Sequence, residues 1–222
     1  MAKYTLILGT KNWSSWSLRP WLALCATGHP FEEVVIGLNQ PQTHAEILKH
    51  SPSGKVPALR IEQDGRAATV FDSLAICETL AERHPEARLW PSDPTARAQA
   101  RSVSAVMHSG FAELRTTLSM DFARKLSTPP LTETVKGQIA EIIAYWQAAL
   151  ERYGRDGFLF GEFSVADCMY APVVSRFRTY AIALPPALDA YSARMFQLPA
   201  MRQWEAASRA EIAAGVAGPR SA

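Results

Sequence analysis

The fold of the first half of the chain is indicated most clearly by the segment Ser51-Pro-Ser-Gly-Lys-Val-Pro-Ala-Leu59. The residues that follow it lead to a second informative segment, Phe71-Asp-Ser-Leu-Ala-Ile76. Two apolar runs, Pro57–Ile61 and Ala67–Phe71, flank the turn sequence Gln63-Asp64-Gly65 and therefore predict a β-hairpin. The second strand leads directly into a helix that opens at Asp72-Ser73. A hairpin followed at once by a helix is typical of a small α/β domain.

Short apolar runs and helical patterns also alternate upstream of this hairpin. Tyr4–Leu8 and Pro30–Leu38 predict two more strands, while Ser17–Thr27 and Thr43–His50 have apolar residues at helical spacing. The predicted order is βαβαββα with a mixed sheet, and we expect this domain to span residues 1–84.

The pattern changes after Arg83. Residues 84–93 contain two prolines and indicate a linker, and almost no strand signal follows. An all-helical domain is therefore expected over residues 93–222. Ser164-Val-Ala-Asp167 is a capping box for one of its helices. One long helix is predicted where apolar residues recur at helical spacing, at Val103, Met107, Phe111, Leu114 and Leu118.

Composition narrows the functional classes. The 222 residues carry 23 Lys+Arg and 21 Asp+Glu, so a net charge of +2 gives no reason to expect nucleic acid as a partner. The three cysteines form no CxxC pair, so neither a zinc site nor a redox dithiol is indicated, and no metal is expected. No signal peptide and no stretch of roughly 20 apolar residues is evident, so we expect a cytoplasmic protein without a membrane partner.

A serine-rich motif, Ser14-Ser15-Trp16-Ser17, precedes the first helix. The start of a helix offers unpaired N–H groups and a positive dipole end, and a hydroxyl there can hydrogen-bond an anion. The alternative is that these serines only cap the helix.

Two further motifs suit a peptide ligand. A Val56-Pro57 bond can be cis, which would turn the Val56 backbone outward to pair with an extended peptide; the alternative is a plain loop. At the helix opening, Ser73 and the backbone N–H groups suit a carboxylate, and Asp72 suits an adjacent ammonium. A carboxylate and an ammonium on one carbon form the head group of an α-amino acid. A simple helix cap explains Asp72 and Ser73 equally well.

Taken in order, these motifs resemble those of the cytosolic glutathione transferases, and the resemblance covers nearly the whole chain. The nearest members are the serine-type zeta and tau enzymes, although Trp16 stands where zeta members have cysteine. The resemblance implies a thioredoxin-like domain that binds glutathione as co-substrate, followed by an all-helical domain that contributes the site for a small electrophile. It also implies a homodimer and a role in detoxification.

The resemblance further implies roles for individual residues. Ser14 would stabilise the glutathione thiolate, with Ser15 as its rival. The glutathione-binding residues would be Gln42, Lys55, Val56, Asp72 and Ser73. Candidates for the electrophile site are Trp16, Met107, His108, Phe111 and Arg115. Their alternatives remain open: Met107 and Phe111 have the spacing of bundle core, and Trp16 could be buried against the sheet.

The implied reaction is attack of the bound thiolate on an electrophilic carbon. A glutathione-dependent isomerase or peroxidase, including one similar to maleylacetoacetate isomerase, would use the same thiolate. A non-catalytic binding module with this fold is the remaining alternative.

Overall fold

The computed structural model describes residues 2–154 and 157–218. Within these ranges the strands form one sheet in the order β2-β1-β3-β4. Strand β1 is parallel to β2 and antiparallel to β3, and β3 forms the predicted antiparallel hairpin with β4. The strand bounds are β1 (Lys3–Gly9), β2 (Phe31–Ile36), β3 (Ala58–Gln63) and β4 (Arg66–Phe71).

Helices cover both faces of this sheet. The helices are α1 (Ser15–Thr27), α2 (Thr43–Leu48) and α3 (Ser73–Arg83). Because successive side chains of a strand point to opposite faces, Leu6 and Leu8 of β1 join the core beneath α1 and α3, whereas Ile7 packs with Ile47 of α2. The predicted βαβαββα order is confirmed.

The Val56–Pro57 peptide bond is cis, as the sequence allowed. Hydrogen-bonded pairing of β3 with its neighbours begins at Ala58, opposite Ile7 and Phe71. The backbone of Val56 consequently lies outside the sheet.

The second half is helical, which confirms the predicted fold class. A 3-10 turn, Pro85–Ala87, precedes it, and the predicted capping box is present: Asp167 Oδ2 accepts hydrogen bonds from Ser164 N at 2.9 Å and Ser164 Oγ at 3.0 Å. The helices are α4 (Pro94–Ser109), α5 (Ala112–Thr117), α6 (Glu133–Arg152), α7 (Val165–Thr179), α8 (Pro186–Gln197) and α9 (Pro199–Ala213).

The expected single helix through Val103 and Leu118 was wrong, because the chain breaks between α4 and α5. Gly110 is extended, with its N–H bonded to Val106 O, and Phe111 has a left-handed φ of 59°. A Cβ at Gly110 would lie only 2.9 Å from Val106 O. Apolar spacing continues through the break because Phe111 and Leu114 still face the core.

Helix α1 joins the two halves. It packs against α3 on one side and α7 on the other, and one hydrophobic cluster runs through both halves. Trp21 of α1 meets Trp204 of α9 at 5.1 Å between ring centroids. None of the helices in the described ranges combines the length and apolar character of a membrane span.

Candidate active site

A cavity of about 520 Å³ lies where the start of α1, the loop before β3, the start of α3 and the end of α4 meet. We call it the Asp72 cavity. Its lining residues are Trp16, Ser53, Lys55, Val56, Pro57, Phe71, Asp72, Ser73 and His108.

Half of the predicted site residues meet in this cavity. Four are candidates for glutathione binding, and two are candidates for the electrophile site: Lys55, Val56, Asp72, Ser73, Trp16 and His108. The other candidates do not line it. Met107 and Phe111 are buried in the core, and Gln42 is exposed just before α2. Arg115 lies behind Trp16, and Ser14 and Ser15 immediately precede it in sequence.

The two serines at the start of α1 have different hydrogen bonds. Ser14 is the N-cap: its Oγ accepts from Ser17 N at 3.3 Å and donates to Ser17 Oγ at 2.6 Å. Ser15 is the first helical residue, and its hydroxyl makes no hydrogen bond to the described part of the chain. Both side chains are largely buried. The Ser15 hydroxyl is therefore available for a ligand, whereas Ser14 would first have to release Ser17.

Asp72 at the start of α3 uses both carboxylate oxygens. Oδ1 accepts from Leu74 N at 2.8 Å and Ala75 N at 3.4 Å, and Oδ2 lies 2.7 Å from His108 Nε2. Partial burial disfavours the charged form, but the bonds from His108 and Leu74 outweigh it, so the pKa of Asp72 is lowered. The carboxylate thus stays charged at neutral pH.

Ser73 supplies a polar atom that has no partner. Ser73 lines the Asp72 cavity, and its buried Oγ has no hydrogen bond within the described residues. A buried hydroxyl without a partner costs stability unless a ligand or water satisfies it. Together with the N–H groups at the start of α3, this atom suits an anionic group.

Trp16 forms a wall of the cavity instead of packing against the sheet. Two guanidinium groups contact its indole, with Arg19 Cζ at 4.1 Å and Arg115 Cζ at 5.1 Å from the ring centroid. The His108 ring meets it edge-on at 5.4 Å. Arg115 Nη1 also donates to the carbonyl oxygens of Met107 and His108, both at 3.3 Å. These contacts fix the orientation of the indole.

Arg19 is completely buried behind Trp16. Its Nε donates to Met169 O at 3.2 Å, and neither terminal nitrogen has a hydrogen-bond partner in the described ranges. Burial, followed by repulsion from Arg176 and Arg115, lowers the pKa of Arg19 to about 9, so the group is still charged at neutral pH. A positive charge consequently lies beneath the wall of the cavity.

Arg176 and Arg178, near the end of α7, pack within the fold and are not solvated surface arginines. Arg176 is buried, with Nε donating to Leu118 O at 2.7 Å. Arg178 stacks on Phe196 with Cζ 3.6 Å from the ring centroid. Both therefore hold α7 against its neighbours.

Three lining residues were not among the predicted site residues: Ser53, Pro57 and Phe71. Phe71 was assigned only to a strand, yet its side chain is 46% exposed at the end of edge strand β4. Its position immediately before Asp72 was the available signal. Arg19 was not among the predicted site residues, although its spacing of three residues from Trp16 places the two on one helix face.

The loop before α1 is held from the far end of the chain. Glu211 of α9 accepts hydrogen bonds from Lys11 N at 2.7 Å and Asn12 N at 2.8 Å. Asn12 Nδ2 in turn donates to Asp121 Oδ1 at 2.6 Å. The position of the α1 N-terminus thus depends on the helical half.

The cysteines do not provide a nucleophile. Cys77 and Cys168 are buried, and burial raises the pKa of each thiol. Cys25 is half-buried in a groove of about 660 Å³ on another side of the molecule, and burial raises its pKa to about 12. Although that groove is larger, it contains none of the predicted site residues. In the described ranges, no three His, Cys, Asp or Glu side chains come together as a metal site.

Comparisons with known proteins match both halves of the chain to domains of one family. A family model described as the glutathione S-transferase N-terminal domain matches residues 13–83, and one described as the C-terminal domain matches residues 129–207. Maleylacetoacetate isomerase of Rattus norvegicus is 29% identical over 177 residues, which cover 78% of this chain and 78% of that protein.

Solved structures share the fold. Maleylacetoacetate isomerase from Anaeromyxobacter dehalogenans, with glutathione bound in its active site, matches with a TM-score of 0.63 and 27% identity over 91% of this chain and 94% of that one. Glutathione transferase Omega 2S from Trametes versicolor matches with a TM-score of 0.72 over 97% and 98% of the chains; its 22% identity shows the fold alone. Because both domains of one family are matched in order along a chain with this fold, the protein belongs to the glutathione S-transferase family.

Proposed function

We propose that the protein is a glutathione transferase that holds bound glutathione as a thiolate for attack on a small hydrophobic electrophile. Residues 1–84 form the glutathione-binding domain, and residues 93–222 contribute the electrophile side. The observation that carries the proposal is the Asp72 cavity, where Val56, the start of α3 and Trp16 at the start of α1 face one space.

The α3 end of the cavity receives the γ-glutamyl group. Its carboxylate binds the N–H groups at the start of the helix and the unpartnered Ser73 hydroxyl, and its ammonium approaches the Asp72 carboxylate. The Val56 backbone, which lies outside the sheet, is available to pair with the cysteinyl residue. Lys55 is the cation of the lining that suits the glycyl carboxylate. Gln42 is an additional glutathione contact only if the ligand extends to α2.

The cysteinyl sulfur lies at the start of α1. A free thiol has a pKa of about 8.5, and lowering it by about two units requires roughly 2.7 kcal/mol of differential stabilisation. One hydroxyl bonded to the thiolate, together with the positive end of the helix, supplies energy of that order. Ser15, with its free hydroxyl, is the first candidate for this donor, and Ser14 is the second.

The electrophile binds on the α4 side. Trp16 offers an apolar face, His108 lies at its edge, and Arg115 lies behind it. The two guanidinium groups beside Trp16 favour a second candidate function, glutathione-dependent isomerisation of an acidic substrate, as the names of the maleylacetoacetate isomerase relatives suggest. Met107 and Phe111 support this side from the core.

A matched pair of variants tests the proposal. Ser15→Ala should move the apparent pKa of the pH–rate profile toward about 8.5, and it should lower kcat/KM for an aryl halide about tenfold or more below that pH. Ser14→Ala should have the smaller effect on the profile. If Ser14→Ala has the larger effect, Ser14 is the donor.

Retention on immobilised glutathione separates an enzyme from a binding module. Retention with aryl halide turnover supports the transferase, and turnover of maleylacetoacetate alone supports the isomerase. Retention without turnover of any of these substrates would leave only the binding module, and lack of retention would contradict the whole proposal.

We further propose a cytoplasmic homodimer that acts in detoxification, as the family resemblance implies. The outward face of edge strand β4 is exposed along almost its whole length, which leaves that surface available to a second copy. Light scattering after size-exclusion chromatography should give twice the mass of one chain.

A further inference from the structure

One polar contact joins the helical half to the α3 end of the Asp72 cavity. His108, in the last turn of α4, places its Nε2 2.7 Å from Asp72 Oδ2 at the start of α3. Both residues line the Asp72 cavity. The sequence placed His108 on the electrophile side, whereas this contact points it toward the group that receives the glutathione ammonium.

Asp72 needs to be held in place. Its φ of 79° lies in a region that residues other than glycine rarely adopt. The bonds from Leu74 N and Ala75 N fix Oδ1, and neither reaches Oδ2. His108 is the group that fixes the second oxygen, and with it the plane of the carboxylate.

His108 is itself held on two sides. Its ring meets the edge of Trp16, and its carbonyl oxygen accepts from Arg115 Nη1. Four charged side chains surround the imidazole. Asp72 contacts its Nε2, and Arg115 donates to the carbonyl oxygen of the same residue. Arg19 contacts the neighbouring Trp16 ring, and Lys55 lines the same cavity. A side chain fixed in this way can orient its partner.

We propose that His108 is a positioning residue for glutathione: it orients the Asp72 carboxylate toward the ammonium of the γ-glutamyl group. The inference rests on the proposed function. A carboxylate oxygen accepts more than one hydrogen bond, so Oδ2 can bind the ammonium and His108 together. The helical half thereby contributes to the affinity for glutathione as well as to the electrophile site.

Two ligands and three variants test this role by calorimetry. The ligands are glutathione and glutaryl-cysteinyl-glycine, which lacks only the amino group. For His108→Ala, the dissociation constant of glutathione should rise about three- to tenfold, a modest factor because the pair is partly exposed. The affinity for the analogue should change less than twofold.

The controls separate positioning from general damage. His108→Gln keeps an N–H donor at similar reach and should restore most of the affinity, and Ser109→Ala, which alters the exposed neighbouring residue, should bind both ligands as the wild type does. Equal weakening for both ligands, or no weakening, would overturn the inference. If His108→Ala does not fold, His108→Met takes its place beside His108→Gln. If the wild type binds neither ligand, the proposed function itself fails, and the inference falls with it.

Discussion

At the scale of single residues, Trp16 is the side chain that we expect to set the size of the proposed electrophile side. Its ring contacts the guanidinium groups of Arg19 and Arg115, so it cannot turn aside without breaking two cation–π contacts. A cysteine at this position, as in zeta enzymes, would leave the space beside His108 open. We therefore expect Trp16 to limit the protein to small electrophiles.

Replacing this side chain tests its role. Trp16→Ala should shift the kcat/KM preference toward a two-ring electrophile over a one-ring electrophile by about tenfold, because the pocket becomes larger. Phe71→Ala, which removes the exposed aromatic side chain elsewhere in the lining, serves as the matched control. An equal shift in both variants would contradict a specific role for Trp16.

The sequence predicted that the Asp72-Ser73 and Val56-Pro57 motifs suit a ligand because that proposed role depends on local backbone conformation, and both motifs do line one cavity. The roles proposed for Trp16 and His108 could not be derived in the same way, because they depend on contacts between elements. Nothing in the spacing of Trp16 distinguishes a cavity wall from a buried core residue until Arg115 and His108 are seen around it.

At the scale of elements, the capping box of α7 joins more of the fold than a usual helix cap. Besides Ser164, Asp167 accepts hydrogen bonds from Leu159 N and Tyr191 Oη, both at 3.1 Å. Complete burial outweighs these bonds and raises the pKa of Asp167 to about 6. The folded state therefore binds a proton more tightly than the unfolded state.

The pH dependence of stability follows from this shift. Because the folded pKa is raised, the contribution of Asp167 is fully present below about pH 4 and is lost as the pH rises through about 6. Asp167→Asn should remove this pH dependence of stability. The difference in unfolding free energy between wild type and variant should therefore be about 2 kcal/mol smaller at pH 7 than at pH 4. Urea denaturation at both pH values measures it; a constant difference would contradict the raised pKa.

Helix α9 positions the loop before α1 through Glu211. Glu211→Ala should lower the unfolding free energy by about 1–3 kcal/mol, because two backbone N–H groups lose their acceptor. Hydrogen exchange should accelerate at the amides of Lys11 and Asn12. The exposed Arg202→Ala on the same helix is the control, and unchanged protection of both amides would show that Glu211 does not hold the loop.

Most elements were predictable because apolar spacing reports which residues are buried. The spacing could not reveal the break at Gly110, because Phe111, which directly follows it, is buried in the core just as it would be in a continuous helix. That break depends on the left-handed backbone of Phe111 and on the close approach of Gly110 to Val106 O. Neither leaves a periodic signal.

At the scale of the whole molecule, the two halves share their core. Leu18 and Trp21 of α1 lie in the same hydrophobic cluster as Met169 and Val173 of α7, so neither half can bury its apolar surface alone. The domain boundary seen in the sequence is thus a change of architecture, not a division between independent cores.

A shared core predicts a single unfolding transition. Tryptophan fluorescence and far-UV circular dichroism should give the same urea midpoint. Met169→Ala, made at the α1–α7 contact, should lower both midpoints together, with a loss of about 2–4 kcal/mol. Two separated transitions would indicate that the halves unfold independently.

The bond between Glu211 and Lys11 spans 200 positions in the sequence. The ribosome therefore synthesises the Ser14-Ser15 motif long before Glu211, and the loop before α1 cannot be held in this way until α9 has left the exit tunnel. Arrested chains of increasing length should become able to bind glutathione only once α9 has emerged from the tunnel.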